Sequence, residues 1–444
     1  RNTDATAVLN TMLKEYPGDV EAITTRADLR MTTGKPDEMR AAISEFEDLL
    51  KEAPDNNRIR SSLANAYRQT GRDALARATL LDLVRRDPRN RRALEGLADL
   101  AIRSRRPDEA LHFAENLLEI DPGNTRGRLI RTAAWALHGR YPEVRAELRR
   151  LTEEYPDLTE AWLQMGTLNL DEHRFAEAEQ IYRRLYQNGA HDIRALRGLT
   201  AVYLAQGQAA TALAVVREEA GRVNTLEVRT LLATTAVQAG DLNLALATAL
   251  KLAADFPDKP EHLVFAADLQ RETGQLDQAL ANYERARQIA PADPIALSHL
   301  ANLLEQMGRI QEAIAASRSA LNLQPDNVVL MNSLAWQLAL GGANLDEAFS
   351  LASKAVRREP DNPALNDTLG MVYLKLRKFD EAARTLQTTL QKDPNNPVFR
   401  QHFGMALIGL GQRQRAKMEF EAAMRNRPAP PDAEQIRKLL DALQ

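Results

Sequence analysis

Residues 257–291 read PDKPEHLVFAADLQRETGQLDQALANYERARQIAP. Between the two bounding prolines the apolar residues keep helical spacing, with Leu263, Ala266, Ala267 and Leu269 in the first half and Leu276, Ala279, Leu280, Tyr283 and Ala286 in the second. Gly274 parts the halves where a left-handed helix end favours glycine. The segment therefore predicts helix, tight turn, helix and a closing proline turn. Each helix is expected to be about 14 residues, roughly 20 Å long. Helices so short are marginal in water, and one pair leaves its apolar side uncovered. Neighbouring copies must cover it.

Such copies run along the whole chain. Proline, usually followed by Asp or Asn, stands at Pro17, Pro54, Pro88, Pro122 and Pro156, and again at Pro257, Pro291, Pro325, Pro360, Pro394 and Pro428. Ala190 and Asn224 are read into the two vacant slots, so that twelve repeats of mostly 34 residues lie between thirteen slots. Ten residues after each slot comes a small residue, among them Ala27, Ala64, Ala98, Thr132, Gly166, Thr234, Gly370 and Gly404. Twelve residues before the next slot stands alanine, from Ala42 to Ala416, with Val144 as the exception. Small residues on facing helices let two backbones approach closely. Gly34, Gly71, Gly207, Gly274, Gly308, Gly342 and Gly411 fall seventeen residues after their slots.

The register organises the ends as well. Residues 1–17 are expected to hold one helix, Thr6 to Glu15, the second half of a repeat whose first half is missing, so the natural protein is expected to extend upstream of Arg1. Residues 18–428 are expected to form one continuous solenoid. Residues 429–444 are expected to cap it with a helix from Ala433 to Leu443, N-capped by Asp432.

Composition bounds the function. A chain of 444 residues exceeds what one core supports, and 44% hydrophobic with 27% charged residues excludes disorder. The apolar runs are too short for a membrane helix. Lys+Arg 58 against Asp+Glu 61 gives a net charge of -3, which offers nucleic acid no basic field. Without cysteine there is no disulfide, thiolate nucleophile or cysteine-based metal site. No two of the seven histidines are three or four residues apart, so no metal is expected. Gly409-Leu410-Gly411 is half of a dinucleotide fingerprint, without the preceding strand, and reads as a turn. No cofactor and no catalytic residue are expected, and the chain is read as not an enzyme.

The repeat resembles the tetratricopeptide repeat family. Leu334-Ala335, Leu369-Gly370 with Tyr373, and Leu63-Ala64 with Tyr67 match its first helix; Ala279, Tyr283, Ala286 and Pro291 match its second. The resemblance implies an all-α, right-handed α-solenoid whose first helices line a concave groove. Positions 2, 5, 6, 9, 12 and 13 of each first helix, counted from three residues after the slot, are then the lining. In the N-terminal repeats they supply Arg58, Asn65, Arg68, Arg92, Asp99, Arg103 and Arg126, an arginine-rich stretch suited to carboxylates. Leu129, Ile130, Leu163, Leu170, Leu204, Leu231 and Leu232 give an apolar floor in the middle. The C-terminal repeats place His299, Asn302, Asn332, Trp336, Asp367, Lys375 and His402 in a polar stretch.

These residues predict a noncatalytic scaffold that binds a protein or peptide partner in its groove. The family's Lys–Asn carboxylate clamp is not assembled here, because no Lys partners Asn65 or Asn302. The stretch Asn332 to Gly404 also resembles the closing repeats of bacterial lipoproteins near exopolysaccharide and sorting-signal genes, which implies a periplasmic or outer-membrane-anchored setting in the bacterial cell envelope. Two alternatives stand beside the scaffold. One is a carbohydrate-handling module of a polysaccharide export machine, with Trp336 stacking on sugar; the other is the regulatory arm of an enzyme whose catalytic part lies upstream.

Overall fold

A computed structural model of the chain describes residues 2–188, 191–342 and 344–443. Among the described residues every regular element is a helix. They fall into two compact units, Arg1–Gln208 and Ala209–Gln444. Unit 1 holds α1 (Asn2–Glu15), α2 (Val20–Met31), α3 (Pro36–Glu52), α4 (Asn57–Gln69), α5 (Asp73–Arg86), α6 (Arg91–Arg103), α7 (Pro107–Ile120), α8 (Thr125–Leu137), α9 (Tyr141–Glu154), α10 (Thr159–Asp171), α11 (Phe175–Asn188) and α12 (Ile193–Ala205). Unit 2 holds α13 (Ala209–Arg222), α14 (Leu226–Gln238), α15 (Leu242–Asp255), α16 (Pro260–Glu272), α17 (Leu276–Ile289), α18 (Pro294–Gln306), α19 (Ile310–Leu323), α20 (Val328–Gly341), α21 (Leu345–Arg358), α22 (Pro363–Lys375), α23 (Phe379–Lys392), α24 (Pro397–Gly409), α25 (Arg413–Arg425) and α26 (Pro430–Asp441).

A first helix starts three residues after its slot, and in most repeats an Asn or Asp two residues after the slot caps it, whereas Leu158 and Lys259 hold that position without a side-chain cap bond. Asn56 accepts from the backbone N–H groups of Arg58 and Ile59, Asn327 from Val329 and Leu330, and Asn396 from Val398 and Phe399. Such a cap contributes about 1 kcal/mol, so the Pro-x-Asn motif both stops one helix and starts the next. The first helix ends in a left-handed residue, after which an N–H bonds back five residues, as Arg72 does to the Tyr67 carbonyl at 2.8 Å. Among second helices, Asp241 caps α15 by accepting from the Leu244 N–H, whereas five begin behind Lys35, Arg72, Arg106, Arg140 and Arg309, none of which caps through its side chain. Instead Arg106, Arg140 and Arg309 reach the glutamate three residues on, in Glu109, Glu143 and Glu312.

Within each unit the helices form two layers. A first helix packs on its own second helix, as α6 on α7 and α18 on α19, and second helices meet the next first helix, as α7 meets α8. First helices also touch the next first helix, α6 with α8 and α22 with α24, so their layer is the tighter one and forms the inner face. The small residues sit where the layers touch: Ala64, Ala98, Ala267 and Ala335, like Ala76, Ala110, Ala279 and Ala313, are fully buried.

Three expectations need correction. The second vacant slot is Val223 and not Asn224, because Thr225 caps α14, Ala233 is fully buried while Thr234 is exposed, and Gly240 takes the left-handed turn at φ 77°. The first vacant slot, Ala190, lies outside the described residues. The last helix begins at Pro430 behind Ala429, which places Asp432 in its first turn instead of at the cap, and α1 begins at Asn2 rather than Thr6.

Candidate functional site

The inner face of unit 1 carries two neighbouring recesses. The first is a cleft of about 360 Å³ over α4, α6 and α8, lined by Ser61, Ser62, Asn65, Arg68, Arg92, Glu95, Asp99 and Arg126, with Gly96 as its floor. A methyl group on Gly96 would stand 3.0 Å from a Leu80 methyl, so glycine here keeps the floor low. Asp99 pairs with Arg126 on one side and, at 3.7 Å, with Arg68 on the other. Arg92 and Asn65 are exposed, and their side chains have no partner among the described residues.

The second recess measures about 1060 Å³ and spans the C-terminal ends of α6, α8, α10 and α12. Ile102, Ala133, Ala136, Leu137, Leu168, Leu170 and Ala205 give it an apolar lining, and Arg105, His138, Asp171 and His173 stand at its polar edge. Both recesses are built on α6 and α8.

Of the expected floor Leu170 lines the second recess, and the rest of its apolar lining is made of other residues. Leu129, 3% exposed, packs with Val144, Leu148 and Met165, and Leu231, 9% exposed, lies in the core of unit 2. Leu163 is half-buried and lines neither recess. Leu232 was drawn in only by the Asn224 register; with Val223 as the slot, Thr230, Leu231 and Thr234 take the fifth, sixth and ninth positions of α14. The alanines of α8 were at lining positions in the sequence, yet small apolar residues gave no signal of a recess. A recess needs small side chains, so their smallness was itself the clue. Arg58 pairs with Glu21 at 3.5 Å and Arg103 with Asp73 at 2.9 Å, outside both recesses.

In unit 2 most of the expected lining is spent internally. His299 Nδ1 lies 2.7 Å from an Asp268 carboxylate oxygen that also accepts from the Tyr283 hydroxyl. The hydrogen bond to Asp268 holds the His299 imidazole above its ordinary value, against burial and the Arg271 charge, which push it down. Burial, then the same carboxylate, pushes the Tyr283 phenol upward. The Trp336 indole N–H donates to Glu305 at 2.7 Å, and its ring lies 5.8 Å from the His402 ring. Asp367 and His402, 6% and 4% exposed, form a buried pair at 2.8 Å, because first helices α20, α22 and α24 press together there. The structure thus removes Asp367 and His402 from the accessible surface and takes the Trp336 indole N–H out of use. Asn302 and Lys375 are exposed without partners among the described residues, and the Asn332 Oδ1 is enclosed without one.

Two family models described as tetratricopeptide repeat match the chain, one at residues 38–100, 270–336 and 339–401 and the other at 138–193 and 230–294, together more than half its length. The chain is built of tetratricopeptide repeats. Among curated proteins it is similar to the ER membrane protein complex subunit 2 of Xenopus tropicalis and to subunit 2-A of Xenopus laevis, in each case 32% identical over 124 residues, 28% of this chain and 41% of the relative. The chain thus spans about two fifths of the length of these relatives. Similar solved structures include a tetratricopeptide repeat protein from Parabacteroides merdae, 18% identical with a TM-score of 0.48 over 56% of this chain and 98% of that one. Yeast Tom70 is 12% identical with a TM-score of 0.42, over 97% and 96% of the two chains.

Proposed function

We propose that this tetratricopeptide repeat chain is a noncatalytic scaffold that holds a segment of a protein partner along the inner face of unit 1. The observation that carries this reading is the pair of adjoining recesses on α6 and α8, one polar with Arg92 and Asn65 unengaged, the other apolar and about 1060 Å³. Together they are open, cross the inner ends of five first-layer helices and offer an apolar seat beside a charged one, which suits an extended chain better than a small molecule. The relatives are named as subunits of a membrane protein complex, which supports a role inside an assembly. A bacterial envelope setting, suggested by the resemblance of residues 332–404, belongs to the same proposal, and fractionating cells that express the full-length gene tests it. The sugar-platform alternative loses its main support, since Trp336 already spends its N–H on Glu305 and packs near His402.

The test fills the larger recess. Ala133→Trp places an indole at a half-buried, recess-lining position, so partner capture from the native organism should drop at least about tenfold while the melting temperature holds. Undiminished capture of the same partners by the variant contradicts the assignment to this face.

A further inference from the structure

The second position of the first helices forms a column, one residue per repeat, which in unit 1 reads Glu21, Arg58, Arg92, Arg126, Glu160 and Arg194. Successive members stand about one helix diameter apart, roughly 10 Å. Its two ends are closed within the protein. Arg58 pairs with Glu21, and Arg194 pairs with Glu160 at 3.0 Å and with Asp192 at 2.6 Å. The middle is open. Arg126 and Arg68 share the single carboxylate of Asp99, and Arg92 between them has no partner among the described residues. Across the cleft three guanidiniums face two carboxylates, Glu95 and Asp99, which leaves a positive balance. The first turns of α4, α6 and α8 contain no acidic residue, so the partial positive charge of their N-terminal ends adds to that field.

The apolar recess lies at a fixed distance from this field. Ile102 is ten residues beyond Arg92 on α6, and Ala136 is ten residues beyond Arg126 on α8. Ten helical residues span about 15 Å, which extended chain covers in four or five residues. The 10 Å between column members equals about three extended residues.

We infer that the segment bound by unit 1 is acidic: it sets two carboxylates three residues apart over Arg92 and Arg126 and, four or five residues further, seats a large apolar side chain against Ile102, Ala136 and Leu137. This rests on the scaffold reading and adds the partner's chemistry and spacing. Arginine suits the task, because its planar fork takes a carboxylate through two parallel hydrogen bonds. Glu95 and Asp99 in the same cleft repel a uniformly charged polyanion, which favours spaced carboxylates over a phosphate backbone.

The experiment uses the full chain and a fluorescein-labelled, otherwise Gly/Ser peptide of twelve residues with Glu at its third and sixth positions and Phe at its eleventh, followed by anisotropy. The peptide should bind, and weaken as salt rises from 50 to 500 mM. Binding should fall about tenfold with Arg92→Glu and by a similar factor with Ala136→Trp, whereas Arg89→Glu, the same charge change on an exposed turn, should leave it within about twofold. A peptide carrying Lys for both Glu residues should not bind. Equal binding of the Lys peptide, equal loss with Arg89→Glu, equal competition by inorganic polyphosphate, or no binding at all overturns the inference. If Ala136→Trp abolishes binding that is indifferent to charge, the inference falls while the scaffold reading stands. If native partners also ignore Ala133→Trp, the scaffold reading falls with it.

Discussion

Arg105, His173 and Arg377 hold φ of 51°, 59° and 59°, in the repeat position where Gly34, Gly71, Gly274 and Gly411 stand elsewhere. The glycines were legible in the sequence. The three exceptions were not, since neither Arg nor His announces a left-handed backbone, but the register of the repeat demands one. The N–H of the residue that follows closes the same turn in each case, as Lys378 does to the Tyr373 carbonyl at 2.9 Å. A left-handed residue with a Cβ costs roughly 1–2 kcal/mol, while glycine costs about 0.5–1 kcal/mol through the unfolded chain. The strain is the larger effect. Arg377→Gly should therefore stabilise unit 2 by up to about 1 kcal/mol, seen as a raised denaturation midpoint; a lowered midpoint would show that Arg377 contributes contacts that outweigh its backbone. His299 offers a second test at this scale. Its folded pKa is raised by Asp268, with Tyr283, Arg271 and Asp293 also facing it, so the charged form is favoured in the folded state. Its contribution to stability is full below the ordinary value near 6.5 and is lost as pH rises through the raised value. An NMR titration should find His299 titrating above that ordinary value and moving downward in Asp268→Asn.

At the scale of helices, the two layers fit by exchanging volume. A methyl group on Gly404 would lie 2.5 Å from the Phe420 ring, and one on Gly370 2.5 Å from Leu386, whereas Ala335 and Ala98 face positions held by Ala352 and Ala114 in the same register. The sequence showed that the position is small but not how small, because the volume belongs to the partner on the second helix. Gly404→Ala gains about 0.5–1 kcal/mol of helix preference and loses about 1–3 kcal/mol to overpacking against the fully buried Phe420. The variant should be destabilised by about 1–2 kcal/mol in chemical denaturation. Restoring the room with Phe420→Ala, the residue type that faces Ala335 and Ala98 in this register, should recover part of that loss in the same chain; if the double variant is no better than the sum of the singles, the two side chains do not share the space described. Register slips are read at this scale too. The chain is one residue short ahead of α14, and proline spacing alone could not say whether residue 223 or 224 held the slot, whereas the Thr225 cap and the buried Ala233 do.

For the molecule as a whole, the repeat fixed the helices almost residue by residue, and the lining positions were legible as positions. What they do was legible only in part, because an inner-face side chain is available to a partner only when its neighbours leave it free. In unit 2 the close approach of α20, α22 and α24 turns Asp367 and His402 into a buried pair. In unit 1 the alanines of α8 leave room, and Arg92 is left over after its neighbours pair. The most direct measurement places a photoreactive benzoylphenylalanine at position 133 on the inner face, or at position 112 on the outer helix α7, and irradiates each chain with its native partners. Binding along the inner face of unit 1 predicts adducts from position 133 and none from position 112. Adducts from position 112 with position 133 silent would contradict it.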